Sequence, residues 1–103
     1  MEQGIRDCCA ERHKERSEDE YRKLINRLSR IEGQIKGIRK MVEANAYCTD
    51  ILMQSSAVSA AMNSFNKELL ANHIRSCVIE DIKNGNEDES VAELVKIIQR
   101  MMK

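Results

Sequence analysis

The stretch that decides the fold is LINRLSRIEGQIKGIRKMV, Leu24 to Val42. Its apolar residues Leu24, Leu28, Ile31, Ile35, Ile38 and Val42 are spaced four, three, four, three and four apart. That is a heptad spacing, which lays one apolar seam along an α-helix. It predicts a helix from about Glu18 to about Glu43, broken by EANAY, where Asn45 suits a turn or cap.

The remainder of the chain agrees with an all-α fold. Its 103 residues make one domain, with no proline, four glycines and no tryptophan. Helix breakers and strand-favouring aromatics are both scarce. No hairpin signal separates alternating apolar runs anywhere. A second helix is expected from Tyr47 or Cys48, with Ile51, Leu52, Ser55, Val58, Met62, Phe65, Leu69 and Leu70 on its stripe. The stripe continues through His73, Ile74, Cys77 and Val78, with nothing to interrupt it before KNGN, where Gly85 suits a left-handed helix end. Such a helix would hold ~37 residues and measure ~55 Å.

SVAE, Ser90 to Glu93, matches a capping box, so a third, short helix is expected from there to the C-terminus. Val91, Leu94, Val95, Ile97, Ile98 and Met101 are its apolar set. Residues 1–17 are polar and aperiodic and read as a mobile tail, leaving 18–103 as a single helical domain. Three such helices leave their seams half exposed, and each buried Leu or Ile is worth about 1.5–3 kcal/mol. Pairing two helical hairpins into an antiparallel four-helix bundle removes that exposure, so the expectation is a dimer at least.

Charge is unevenly spread along the chain. Net charge is zero, yet Tyr21–Lys40 holds seven basic residues against the single acid Glu32, a local +6. A basic segment on an otherwise acidic protein points to a polyanion-binding surface, with part of it a solvated helix face. The start, MEQGIRDCCAERH, has no apolar core of a signal peptide, and no apolar run approaches the ~20 residues of a membrane span. The sequence therefore reads as cytoplasmic. In that compartment Cys8, Cys9, Cys48 and Cys77 are expected as thiols or metal ligands rather than structural disulfides.

HIRSC, His73 to Cys77, puts an imidazole and a thiol one helical turn apart. Cys48 is the natural third donor, but it precedes His73 by 25 residues, ~37 Å along one helix. Two copies of the second helix packed antiparallel would bring Cys48 of one protomer to His73 and Cys77 of the other. Two thiolates and one imidazole suit Cu(I), which accepts three soft ligands. Zinc would want a fourth, from Cys8, Cys9 or His13 in the tail or from solvent. H-x-x-x-C is also a permissive pattern: a cysteine on an apolar stripe serves equally as a small hydrophobe, and the histidine as a satisfied polar residue.

NRLSRIEGQIKGIRKMVE, YCTDIL with AVSAAM, and LLANHIRSC with IKNGN and ESVAELV together resemble the copper-sensitive operon repressor family (CsoR). That family also includes nickel/cobalt, formaldehyde and persulfide sensors. The resemblance runs from about Tyr21 to the C-terminus. It implies an antiparallel helical-bundle dimer, paired again into a tetramer, without a helix-turn-helix. It implies metal ligation by Cys48, His73 and Cys77, with Tyr47 and Glu93 coupling metal binding to DNA release. For Glu93 a second role competes, as partner of Ser90 in the capping box. Arg27, Arg30, Gln34 and Lys36 match the family's operator-binding first helix. Asn63 stands where relatives often carry a basic residue.

These readings predict a Cu(I)-responsive transcriptional repressor that binds double-stranded operator DNA without metal and is released when Cu(I) binds. Nickel/cobalt sensing fits Cys48 and His73, though those sensors usually add an N-terminal histidine, and His13 lies near that place. Persulfide sensors lack the histidine, and formaldehyde sensors lack the second cysteine. A copper buffer without a DNA role is the alternative from another class, against which the +6 helix argues. An enzyme is not expected: no glycine-rich phosphate loop occurs, nor a base-and-nucleophile pair beyond the proposed ligands.

Overall fold

The structure, a computed structural model, describes residues 16–102. They are helical almost throughout: α1 is Glu18–Glu43, α2 Cys48–His73, α3 Ile79–Lys83 and α4 Glu87–Met101. Between α2 and α3 the backbone stays helical but widens into a π turn, Ile74–Val78. The chain therefore has three helical arms, the second one made of α2, the π turn and α3, as the periodicity implied. It divides into two compact units, Arg16–Leu69 and, among the described residues, 70–102.

In the first unit, α1 begins where its capping chemistry dictates. The Ser17 hydroxyl accepts a hydrogen bond from the Glu20 N–H at 3.1 Å. Glu18, Asp19 and Glu20 then place negative charge on the positive end of the helix dipole. Ser17, grouped with the tail for its polar, aperiodic surroundings, thus belongs to the helix start. At the other end Asn45 adopts φ 57°, the Ala46 N–H reaches Met41 O at 2.9 Å and the Asn45 N–H reaches Val42 O at 3.1 Å. These two bonds satisfy the last carbonyls of α1. Leu24 and Ile31 of the seam are buried, while Ile35 and Val42 are more than half exposed.

The second unit, among the described residues, has a core that mixes apolar and polar side chains. Cys77 and Val78 of the π turn, Asp81 of α3 and Ser90 of α4 are its buried side chains. α4 packs on both the π turn and α3. The reversal between α3 and α4 repeats the α1 ending: Gly85 takes φ 82°, Asn86 N–H donates to Asp81 O at 2.8 Å, and Gly85 N–H donates to Ile82 O. The left-handed role expected of Gly85 holds.

Two expectations need correction. The α-helix that carries the stripe does not run uninterrupted to KNGN, because the π turn breaks its hydrogen-bond register: the Ile79 N–H reaches back to Ile74 O. And Ser90 is not the cap of the last helix. α4 starts one turn earlier at Glu87, and the Ser90 N–H makes an intrahelical bond to Asn86 O at 3.1 Å. Glu87, Asp88 and Glu89 supply the acidic first turn that a helix N-terminus favours, so the helix begins ahead of its apolar set.

Gly85→Ala tests the reversal. Nothing lies within 4 Å of the added Cβ, so only the left-handed backbone resists it. The expected loss is about 1–2 kcal/mol of unfolding free energy, read by chemical denaturation; an unchanged midpoint would contradict the φ assignment.

Candidate metal centre

The expected donors fall at the two ends of α2. Cys48 is its first residue and His73 its last, with Cys77 four residues further, inside the π turn. Cys48 is free and exposed. Tyr47 precedes it, and its backbone carbonyl accepts from Asp50 N–H at 3.1 Å and Ile51 N–H at 3.2 Å, so the tyrosine sits at the helix cap with its ring exposed. This geometry places Tyr47 and Cys48 together at one helix start.

His73 and Cys77 both belong to the second unit, at the two edges of the π turn. A π turn takes about 4.4 residues per revolution, so residues four apart stay near one helical face. His73 is half-buried, and Cys77 is fully buried with its sulfur in a disulfide. The disulfide departs from the expectation of a thiol or metal ligand, and Cys77 can supply a thiolate to a metal only after reduction. Cys48 is not part of that bond. Cys8, Cys9 and His13 lie outside the described residues.

Among the described residues no three His, Cys, Asp or Glu side chains of one chain gather to hold a metal ion. Glu93 is half-buried in α4, three residues after the buried Ser90 and on the same face. α4 contacts the π turn directly. With the helix starting at Glu87, Glu93 lies in its second turn and plays no capping role, which removes the competing role.

The basic residues of α1 separate into two groups. Arg27, Arg30 and Gln34, at spacings of three and four, share one stripe beside the seam. Lys23 joins that stripe at the same spacing, a membership that the family pattern does not indicate. Lys36 does not: it stands with Arg22 and Lys40 across the seam from the other four. Near the start of α1, Asp19 pairs with Arg22 at 3.4 Å and with Lys23 at 3.5 Å, in exposed positions where such pairs contribute little. No described helix is long and apolar enough to cross a membrane.

Comparison with known proteins adds to this geometry. The family model described as "Metal-sensitive transcriptional repressor" matches residues 20–100. The copper-sensing transcriptional repressor CsoR of Bacillus subtilis (strain 168) is 43% identical over 88 residues, 85% of this chain and 87% of the relative. The crystal structure of the copper-sensing repressor CsoR with Cu(I) from Geobacillus thermodenitrificans NG80-2 superposes with a TM-score of 0.82 at 42% identity, covering 86% of this chain and 93% of that one. The nickel-responsive transcriptional regulator InrS superposes with a TM-score of 0.67 at 36% identity, covering 85% and 96%.

The contrast between the two cysteines is directly measurable. In native, non-reduced protein a maleimide should modify Cys48 within minutes and leave Cys77 unmodified until the chain is reduced and unfolded, as read by peptide mass spectrometry. Equal labelling of both would contradict the burial described.

Proposed function

The chain belongs to the metal-sensitive transcriptional repressor family, and we propose that it is the copper-responsive kind: it binds operator DNA without metal and lets go when Cu(I) binds. The observation that carries this reading is the placement of soft donors at opposite ends of α2. Cys48 begins the helix, and His73 and Cys77 close it. An antiparallel second copy would bring Cys48 to His73 and Cys77 of its partner, giving two equivalent sites per dimer. In this reading residues 18–103 act as one regulatory domain, in the cytoplasm, as a dimer that pairs into a tetramer. Like its relatives, the protein is a regulator and not an enzyme.

The donor set fits Cu(I). Two sulfurs and one imidazole are soft and few, and Cu(I) is satisfied by three such ligands without water. Cys77 is fully buried, which keeps solvent from one side of the site. The similarity to the Cu(I)-bound repressor is also greater than that to the nickel-responsive regulator, in identity and superposition alike.

The chain's own residues supply the coupling. Tyr47 adjoins Cys48 at the start of α2, and Glu93 is a half-buried residue of α4, the helix that packs on the π turn holding Cys77. Clamping Cys48 to the partner's donors favours one helix arrangement, and DNA is released if that arrangement binds it less well. Arg27, Arg30 and Gln34, with Lys23 and with Lys36 across the seam, are the residues proposed to meet phosphates.

A second reading is favoured by the disulfide at Cys77. It makes the protein a thiol or persulfide switch, in which oxidation rather than metal changes DNA binding. His73 separates the two, because sulfur chemistry does not need an imidazole.

An anaerobic Cu(I) titration against a competing chelator, on reduced protein, tests the site. Wild type should bind one ion per protomer, and His73→Ala should weaken binding at least ~10-fold. Tight binding indifferent to His73 transfers the case to thiol chemistry. For DNA, Arg27→Ala should weaken operator binding of the metal-free protein across sequences. It should also flatten the salt dependence by about one unit of log–log slope for each phosphate the protein then leaves unneutralised. An unchanged salt slope would remove Arg27 from the interface.

A further inference from the structure

Ser76 adjoins Cys77, and its position is unusual for a helix. Its hydroxyl lies 2.8 Å from the Asn72 backbone carbonyl, to which it donates. The same oxygen lies 3.8 Å from the Cys77 sulfur, with donor geometry toward it. Consecutive side chains on an α-helix diverge by about 100° and do not face one another. The π turn changes this: at about 80° per residue, neighbours diverge less, and a short side chain comes near the next residue's sulfur. The contact thus follows from the same widened register that separates α2 from α3.

One hydroxyl proton serves two acceptors. A carbonyl at 2.8 Å outcompetes an uncharged sulfur at 3.8 Å, so the Asn72 carbonyl holds the proton in the structure described. The balance changes when the sulfur carries charge. Hydrogen bonds to ionised acceptors are roughly twice as strong as neutral ones. Cys77 is wholly excluded from water, so a charged sulfur there depends on protein donors for what solvent would otherwise provide.

We propose that Ser76 is a positioning residue for Cys77: its hydroxyl, parked on the Asn72 carbonyl, turns to the sulfur when that sulfur is a metal-bound thiolate, fixes its direction and draws charge from it. The proposal rests on the reading of Cys77 as a metal ligand. It also makes Asn72 a sensor of the sulfur's state. Its carbonyl loses the hydroxyl when the metal is bound, while its side-chain oxygen keeps the Arg75 guanidinium.

The test uses the reduced full-length protein, Ser76→Ala, Ser76→Thr and Cys77→Ala. Alanine is the better helix former, so loss of the hydroxyl does not threaten folding. With Cu(I) as the probe, the ultraviolet sulfur-to-copper charge-transfer band of Ser76→Ala should move to lower energy, because the sulfur lone pair is no longer held down by a donor. Chelator competition should show Cu(I) affinity falling about 3- to 10-fold, and Ser76→Thr should restore both readings. In metal-free protein, hydrogen exchange of the amides between residues 72 and 79 should be faster in the alanine variant than in the threonine one. Cys77-dependent copper binding with an unmoved band in Ser76→Ala overturns the role of Ser76 alone. A threonine variant that behaves like the alanine one overturns it as well. Copper binding unaffected by Cys77→Ala overturns the ligand assignment beneath it.

Discussion

Everything proposed for this protein depends on where α2 begins and ends. The helix holds Cys48 at its first residue and His73 at its last, 26 residues in one element. A donor set divided between helix ends is useless to one chain alone and becomes useful only when a second chain runs the other way. In the proposed Cu(I) site, joining donors from two chains would make metal binding report on assembly, a means of converting ligand binding into quaternary change.

The second unit is held together in a manner that suits movement. Two of its buried side chains, Asp81 and Ser90, are polar, and among the described residues the Asp81 Oδ1, Ser90 Oγ and Asn86 Nδ2 atoms make no hydrogen bond. A buried polar atom without a partner costs about 1–3 kcal/mol, where an apolar side chain in its place would contribute. The contact of α4 with the π turn and α3 thus includes buried polar atoms that no described group satisfies. Low local stability is the property expected of elements that move in allostery. Glu93 is a half-buried residue of the same helix.

The parts of the fold written in local chemistry were legible in the sequence, and those set by hydrogen-bond register or charge were less so. The heptad spacing placed α1 at Glu18–Glu43, and Asn45 and Gly85 announced the two left-handed reversals. The π turn left no trace in the periodicity, because the apolar stripe passes through Ile74, Cys77 and Val78 in either register. The start of α4 was displaced because its acidic first turn carries no apolar signal, and SVAE mimicked a cap at a position that is in fact buried. SEDE, at Ser17–Glu20, carried the same signature and did cap a helix. Of the proposed site, the spacing of the donors was legible, whereas the disulfide at Cys77 was not, since oxidation state is not encoded in spacing.

The exposed seam bears on how the site and the assembly depend on one another. Ile35 and Val42 of α1 are 52% and 56% exposed, and Leu52 and Met53, in the first turns of α2, are 65% and 71% exposed. Burying them against a second copy would contribute about 1.5–3 kcal/mol per side chain, without reference to metal. Assembly can then be stable before any ion arrives, and the ion need supply only the differential free energy between two arrangements of a dimer already formed. Allosteric coupling energies are typically about 1–3 kcal/mol, comparable to burying one of these residues. A three-ligand site at the ends of α2 therefore does not need to build the dimer in order to change its shape.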